Sequence, residues 1–326
     1  LFRRGEAIEL MGKTKIIVLD KTGTLTKGKP SVTDIITFNQ IKEEKVLQLA
    51  ASVEKNSEHP LAGAIVNEAE KKGLGLFSVK NFNAIFGKGV KGEIKGKKIL
   101  VGRRLLMKEN NIGISHVEEI LNKLEEQGKT AMLVAKDKKV LGVISVADTL
   151  KEKTKEAIQA LHKMNYKLIM LTGDNKRTAD AIAKQIGIDE VLAEVLPDQK
   201  VEVIKKLQEG GKTKVAMTGD GINDAPALTQ ADVGIAIGSG TDIAIEAGEI
   251  TLVRGELDAL VDSIKLSRAT FRKVRQNLFW AFFYNTVAIP VAAFGVLATM
   301  IGPLIAAGAM AFSSLSVVLN SLRLKK

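Results

Sequence analysis

The chain has 326 residues, with 48 Lys and Arg against 37 Asp and Glu and no cysteine. That length suits one large domain or two ordinary ones, each able to bury its own core, and excludes a small stapled fold. The lack of cysteine excludes disulfides, thiolate nucleophiles and cysteine-held zinc or iron–sulfur sites.

Nothing near the start reads as a signal peptide, since the first eleven residues are interrupted by Arg3, Arg4, Glu6 and Glu9. With Leu1 in place of Met, the sequence is expected to be a piece of a longer protein. After this lead-in, residues 15–19 form the continuous apolar run of a buried parallel strand, ending directly at Asp20. Active sites of parallel sheets sit at that end of a strand.

Residues 31–141 have their own punctuation. Helices are expected at 42–52, 61–72 and 116–127, glycines cluster from Gly87 to Gly102, and strands are expected at 130–135 and 140–146. A loop that long without a core of its own would be improbable, so this block reads as an inserted domain. Beyond it, apolar strands at 167–171, 214–217, 233–237 and 250–253 alternate with helical patterns at 151–164, 177–186, 200–208 and 224–230. Such alternation argues for an α/β fold with a doubly wound parallel sheet. There is no internal repeat and no low-complexity tract.

The net charge of +11 would suit nucleic acid, but its location argues otherwise. Lys265, Arg268, Arg272, Lys273, Arg275, Arg323, Lys325 and Lys326 lie beyond residue 262 with no acidic residue among them, leaving +3 for everything before. They flank 276–322, which carries no charge and is long enough for two helices of roughly 20 apolar residues. With Gly302 and Pro303 as the break, spans are expected at about 278–300 and 304–322. Basic outer ends put both in the cytoplasm, so the chain reads as part of a multi-pass membrane protein and no nucleic acid is expected as partner. The alternative is a helical hairpin buried in a soluble core, although soluble helices usually show a polar face.

Three strand ends concentrate Asp, Thr and Gly: Asp20-Lys-Thr-Gly-Thr-Leu-Thr26, Thr172-Gly-Asp174, and Thr218-Gly-Asp-Gly-Ile-Asn-Asp-Ala-Pro-Ala-Leu228. In a parallel sheet they converge on one edge. Phosphoryl transfer to a carboxylate needs a nucleophile, a divalent cation and donors for the phosphoryl oxygens. Asp20 can attack, Asp220 and Asp224 offer hard oxygen ligands, Lys200 brings an ammonium, and Thr172 with the glycine amides can donate. A lone Thr-Gly-Asp is usually an ordinary turn with an N-capping Asp; the two longer runs are far more specific.

Those two runs resemble the phosphorylation and hinge motifs of P-type ATPases, built on the haloacid-dehalogenase-like fold. The resemblance covers essentially the whole chain and implies a phosphorylation domain in two parts (1–30 with the lead-in, and 142–262), a nucleotide-binding domain of α+β type (31–141), and a membrane hairpin (263–326). It implies that Asp20 takes a phosphoryl group from ATP, with Mg2+ held by Asp20, the Thr22 carbonyl and Asp220. Lys200 and Thr172 would contact the phosphate, Asn223 and Asp224 would order the site, and Asp174 belongs to the same catalytic set.

Within the insert, Ser57-Glu-His-Pro60 and the Gly-x-Gly stretch resemble the heavy-metal-transporting branch. Glu58 and His59 would then contact adenine, with Gly87, Gly89, Val90 and Gly102 lining the nucleotide. Read without the resemblance, His59 is a helix cap or surface residue, as His116 and His162 are expected to be surface or packing residues. The family follows the later glycine with Asn; here Arg103 follows Gly102, placing a guanidinium where it could approach a phosphate. In the hairpin, Tyr284, Asn285, Met310 and Ser314 resemble the ion ligands of the copper(I) branch, and a thioether suits a soft ion. Interhelical packing is the alternative reading for these polar residues.

The branch's Cys-Pro-Cys helix and actuator domain would lie upstream, making the rest of the protein a partner, together with the lipid membrane and a metal-delivery protein. Two further readings are a zinc- or cadmium-transporting ATPase, for which an acidic residue in the last span would be expected, and a soluble aspartate-nucleophile phosphatase. The latter places an acid/base Asp two residues after the nucleophile, where Thr22 stands here. A non-catalytic nucleotide sensor is disfavoured by the complete set of Asp20, Lys200 and Asp220.

Overall fold

The structure, a computed structural model, describes all residues except 39, 239–240, 254–255, 294–301 and 326; the side chains at 222, 288–293, 302–307, 309–310 and 325 also lie outside the description. Helix α1 (Gly5–Lys13) precedes β1 (Ile16–Asp20), buried throughout after Ile16. The chain leaves β1 through a wide turn at Lys21–Leu25. It then builds β2 (Ser31–Thr37), α2 (Glu43–Glu54), α3 (Pro60–Lys71), the meander β3 (Lys80–Ile85), β4 (Gly89–Ile94) and β5 (Lys97–Gly102), α4 (Arg104–Glu109), α5 (Glu118–Glu126) and the hairpin β6 (Thr130–Lys136) and β7 (Lys139–Ala147). Helix and strand alternate afterwards: α6 (Thr154–Lys163), β8 (Lys167–Leu171), α7 (Lys176–Ile186), β9 (Glu190–Leu192), α8 (Lys200–Gln208), β10 (Val215–Gly219), α9 (Ala225–Gln230), β11 (Val233–Ile237), α10 (Asp242–Ala247) and β12 (Ile250–Leu252). Two long helices follow, α11 (Asp258–Ala293) and α12 (Gly302–Leu322).

The strands fall into two sheets. One runs β12-β11-β10-β1-β8-β9 with every pairing parallel. Because β8 and β10 flank β1 on opposite sides, the winding reverses beside β1 and opens a crevice at its carboxyl end. The other sheet runs β2-β7-β6-β5-β4-β3 and is antiparallel throughout. One of its faces packs with α2 and α3 around Leu47, Ile65, Ile99 and Ile144; the other packs with α4 and α5 around Leu106, Leu121, Leu133 and Val143. Coverage of both faces explains why β7 is buried at seven successive positions rather than at alternate ones.

That strand also moves a boundary. The antiparallel sheet continues to Ala147, past the expected limit at 141, because β7 pairs with β2 all the way from Thr37–Gly142 to Ser31–Ala147. The stretch of clustered glycines at 87–102 lies largely in β4 and β5.

By internal packing the chain divides into Leu1 with Thr14–Ala259, and Phe2–Lys13 with Leu260–Lys326. The lead-in thus groups with the two last helices and not with the sheet. Within this second unit, Ser267 Oγ donates to Ile8 O (2.5 Å), and α11 meets α12 through Lys273 Nζ on Asn320 Oδ1, Asn320 Nδ2 on Asn277 Oδ1 and Asn277 Nδ2 on Ser321 Oγ, each 2.8 Å. Among the described residues no helix is long and apolar enough to cross a membrane. The expected spans fall partly outside the description: the first loses 294–300, and side chains are missing from both.

Candidate active site

Asp20 ends β1 and is buried, and its Oδ1 accepts from Lys200 Nζ at 2.7 Å. The same ammonium donates to Asp224 Oδ1 at 2.6 Å. Lys200 opens α8 and Asp224 lies just before α9, so three loops at one sheet edge supply this ion-pair group. Asp220, directly after β10, completes it: one oxygen each of Asp20, Asp220 and Asp224 lie within 4.8 Å of one another. Such a set suits a hard divalent cation, which binds carboxylate oxygens at about 2.0–2.6 Å. Two buried hydroxyls near these carboxylates in sequence, Thr24 Oγ1 in the turn after β1 and Thr218 Oγ1 at the end of β10, have no hydrogen-bond partner, which fits a site built for a further polar group.

The electrostatics reflect this crowding. Burial, then the Asp224 carboxylate, push Asp20 up to about 7 against the pull of Lys200. Burial and Asp224 raise Asp220 to about 6. For Lys200 burial disfavours the charge, but the two carboxylates outweigh it and hold its pKa above the usual lysine range.

Local sequence makes this convergence possible. Gly23 has φ +73°, and a Cβ there would lie 1.6 Å from Asp220 Oδ2, so any side chain would push the two loops apart. Asp148, at the return from β7, pins the same turn: its Oδ2 accepts from Thr26 Oγ1 (2.6 Å) and Gly28 N (3.0 Å), and its Oδ1 from Lys29 N (3.2 Å). Lys151 Nζ donates to Gly23 O and feels the charge of Asp220. Neither Asp148 nor Lys151 was singled out by sequence; their signal was position, since both stand where the chain re-enters the core after its insert.

Thr172, at the end of β8, is buried and accepts at Oγ1 from Asp174 N (3.1 Å). Asp174 Oδ2 pairs with Lys21 Nζ at 2.6 Å, tying the loop after β8 to the residue after Asp20. Asn223 is exposed in the turn 222–224, and Thr22 is half-buried with extended backbone.

In the insert, His59 caps α3, its Nδ1 accepting from Leu61 N at 3.2 Å, with Pro60 in the first turn. Burial lowers its pKa, and Arg103 lowers it further, with Asp174 opposing. Glu58 is exposed, whereas Glu54, which sequence reading passed over, is buried and pushed up to about 7 by that burial. A carboxylate closing an otherwise apolar helical run five residues before His59 was the available signal.

Gly89 and Gly102 face each other across β4 and β5. A Cβ on Gly89 would lie 2.2 Å from Val101 O and one on Gly102 2.3 Å from Lys88 O, so both glycines are required by close backbone approach. Gly87 takes φ +71° in the turn before β4. Val90 places its side chain in the insert's core, which leaves only its backbone for any ligand. Arg103 Nη2 donates to Gly173 O at 2.9 Å, linking the insert to the loop after β8.

The expected ion ligands are less gathered. Tyr284 packs against Trp280 and Phe283, Asn285 Nδ2 donates to its own helix at Ala281 O (2.9 Å), Ser314 is exposed, and the Met310 side chain lies outside the described residues. The polar link between α11 and α12 runs through Asn320 instead.

A family model described as haloacid dehalogenase-like hydrolase matches residues 14–232. The chain is 52% identical over 326 residues to a copper-exporting P-type ATPase of Staphylococcus saprophyticus and 53% over 327 residues to one of Staphylococcus aureus. It matches over its whole length but spans about 40% of these relatives. Among solved structures, a zinc-transporting PIB-type ATPase in its E2.Pi state is 38% identical with a TM-score of 0.73, covering all of this chain and 52% of that one. The catalytic domain of the CPx-ATPase CopB-B, studied for conformational changes upon nucleotide binding, is 33% identical with a TM-score of 0.62, covering 81% of this chain and 94% of that one.

Proposed function

We propose a transport role because the chain belongs to the haloacid dehalogenase-like hydrolases and, within them, to the heavy-metal P-type ATPases. The whole protein exports copper(I) at the expense of ATP. This chain supplies a phosphorylation domain (14–30 and 148–262), a nucleotide-binding domain (31–147) and the last membrane hairpin. The observation that carries the reading is the gathering of Asp20, Asp220 and Asp224 oxygens within 4.8 Å around a lysine 2.7 Å from Asp20.

Asp20 attacks the terminal phosphorus of ATP; its new O–P bond forms as the bond to the ADP oxygen breaks. Lys200 faces the transferring oxygens from its position between Asp20 and Asp224. The Thr172 hydroxyl and the amides after Asp20 donate to the same oxygens, and Asp224 and Asn223 order the site. Asp20, Asp220 and the Thr22 carbonyl would hold Mg2+, which when bound offsets the charge of phosphates and carboxylates. His59, with the glycines 87, 89 and 102 and the turn at Glu58, receives the nucleotide.

Membrane placement is supported by the charge-free stretch 276–322, its basic flanks, and the exposed apolar side chains of Leu278, Phe279, Phe282, Phe312 and Leu322. The soluble domains then face the cytoplasm. Copper is favoured over zinc by the greater identity to copper exporters and by the absence of any acidic residue in 276–322. Tyr284, Asn285, Met310 and Ser314 would contribute to the ion path, completed by helices upstream and supplied by a metal-delivery protein.

The test is labelling with terminally labelled ATP in the full-length protein. An acid-stable, hydroxylamine-labile adduct that depends on copper(I) and disappears in Asp20→Asn is expected. Label persisting in that variant would remove Asp20 as nucleophile, and label driven by zinc alone would reassign the ion.

A further inference from the structure

Two adjacent arginines open α4, and the fold uses them differently. Arg104 is occupied: Nε pairs with Glu118 at 2.7 Å, Nη1 with Glu125, and Nη2 donates to Asn122 at 3.0 Å. Arg103 forms no ion pair among the described residues, and its guanidinium reaches only a neutral acceptor, Gly173 O at 2.9 Å. Its backbone is fixed, because Arg103 N donates to Lys88 O at 2.8 Å in the glycine-bearing turn before β4.

Its neighbourhood is informative. Its guanidinium ends at Gly173 O, one residue from Asp174, whose carboxylate pairs with Lys21 next to Asp20, and the charges of Arg103, Asp174 and Lys21 all act on His59. A nucleotide with its base at His59 and its terminal phosphate at Asp20 runs its phosphate chain past that guanidinium. The planar fork of an arginine matches phosphate oxygens in pairs, with opposite charge on the acceptor, whereas the Gly173 carbonyl offers a single neutral oxygen.

We infer that Arg103 is a specificity-determining residue for the polyphosphate of the nucleotide: without ligand it tethers the insert to the Thr172–Asp174 loop through Gly173 O, and with ATP bound it exchanges that carbonyl for phosphate oxygens. This rests on the nucleotide-site reading given above.

The experiment is calorimetric titration of the full chain with adenosine, AMP, ADP and ATP, in the native protein, R103A, R103Q and H59Q. R103A and R103Q are expected to weaken ATP and ADP about tenfold or more while leaving adenosine within about twofold, since one charged hydrogen-bonding group is lost. Gln can still donate to Gly173 O, so R103Q separates tether from charge. ATP affinity unchanged in R103Q, or an equal loss for adenosine and ATP in either variant, overturns the inference. H59Q is expected to weaken all four ligands alike; if it changes none while R103Q still discriminates by phosphate, the adenine assignment fails and the role of Arg103 stands.

Discussion

Asp20 is held among charges that oppose its ionisation. Its carboxyl titrates near 7 in the fold against an ordinary 3.8, so the folded chain binds the proton more tightly than the unfolded chain. Stability from this group is therefore complete below about pH 4 and lost as the pH rises through about 7. Asp20→Asn, which cannot ionise, is expected to stabilise the magnesium-free chain by about 1–3 kcal/mol at pH 8 and by nothing measurable at pH 4. Thermal melts at the two pH values check this; equal shifts at both would mean that packing, not charge, is responsible. Added Mg2+ is expected to stabilise the native chain at pH 8 and to lose that effect below about pH 6, where Asp220 and Asp20 are protonated. The individual acidic residues were legible because each follows an apolar run; their mutual perturbation was not, since it depends on distances across three loops.

At the scale of elements, the turn 21–25 is where the site is made or lost. Its backbone departs from helical geometry at Thr22 and Gly23, and besides its own Thr26 N on Lys21 O (3.1 Å) it is held from outside by Asp148, by Lys151 and by Thr154 Oγ1 on Leu25 O (3.2 Å). Asp148 follows the last strand of the insert, so the same carboxylate anchors the loop after Asp20 and the point where the insert rejoins the core. Asp148→Ala is expected to cost about 2 kcal/mol of stability and to slow phosphoenzyme formation at least tenfold, with nucleotide affinity within about twofold. Rapid-quench labelling beside calorimetric titration checks it; an equal loss in both would move Asp148 from positioning the loop to holding the insert together. Sequence periodicity found the main helices of the insert within a few residues, for example α2 and α5, but missed β2 and the β3–β5 meander. β2 pairs with β7, far along the chain, and the meander strands interrupt their apolar positions with Lys, Asn and Gly, which blurs the alternation.

At the scale of the molecule, a parallel sheet bears the Asp20, Asp220 and Asp224 cluster, an antiparallel sheet is spliced into the chain after β1, and two long helices carry exposed apolar side chains. Eight basic residues and no acidic one lie from 263 onward, on the flanks of a charge-free stretch. The chain expressed in bacteria is expected to stay with the membrane pellet through alkaline carbonate extraction, and a version ending at residue 262 to leave it. Release of the full chain into the supernatant would remove the membrane assignment and leave the phosphorylation chemistry untouched.

By itself the sequence determined the main strands and helices of the core, though not the short β9 and α10, together with the presence of an insert, the charge-free stretch and the acidic motif residues, because each is a local pattern: an apolar run, a turn chemistry, a block of charge. Only the tertiary structure decided that Lys200 bridges Asp20 and Asp224, that Gly23 must be glycine to let Asp220 approach, that Glu54 is buried while Glu58 is exposed, and that Arg103 reaches Gly173. Each of these is a meeting of groups from distant parts of the chain or a depth of burial, set by how separate segments pack together, and no periodicity along the chain encodes it.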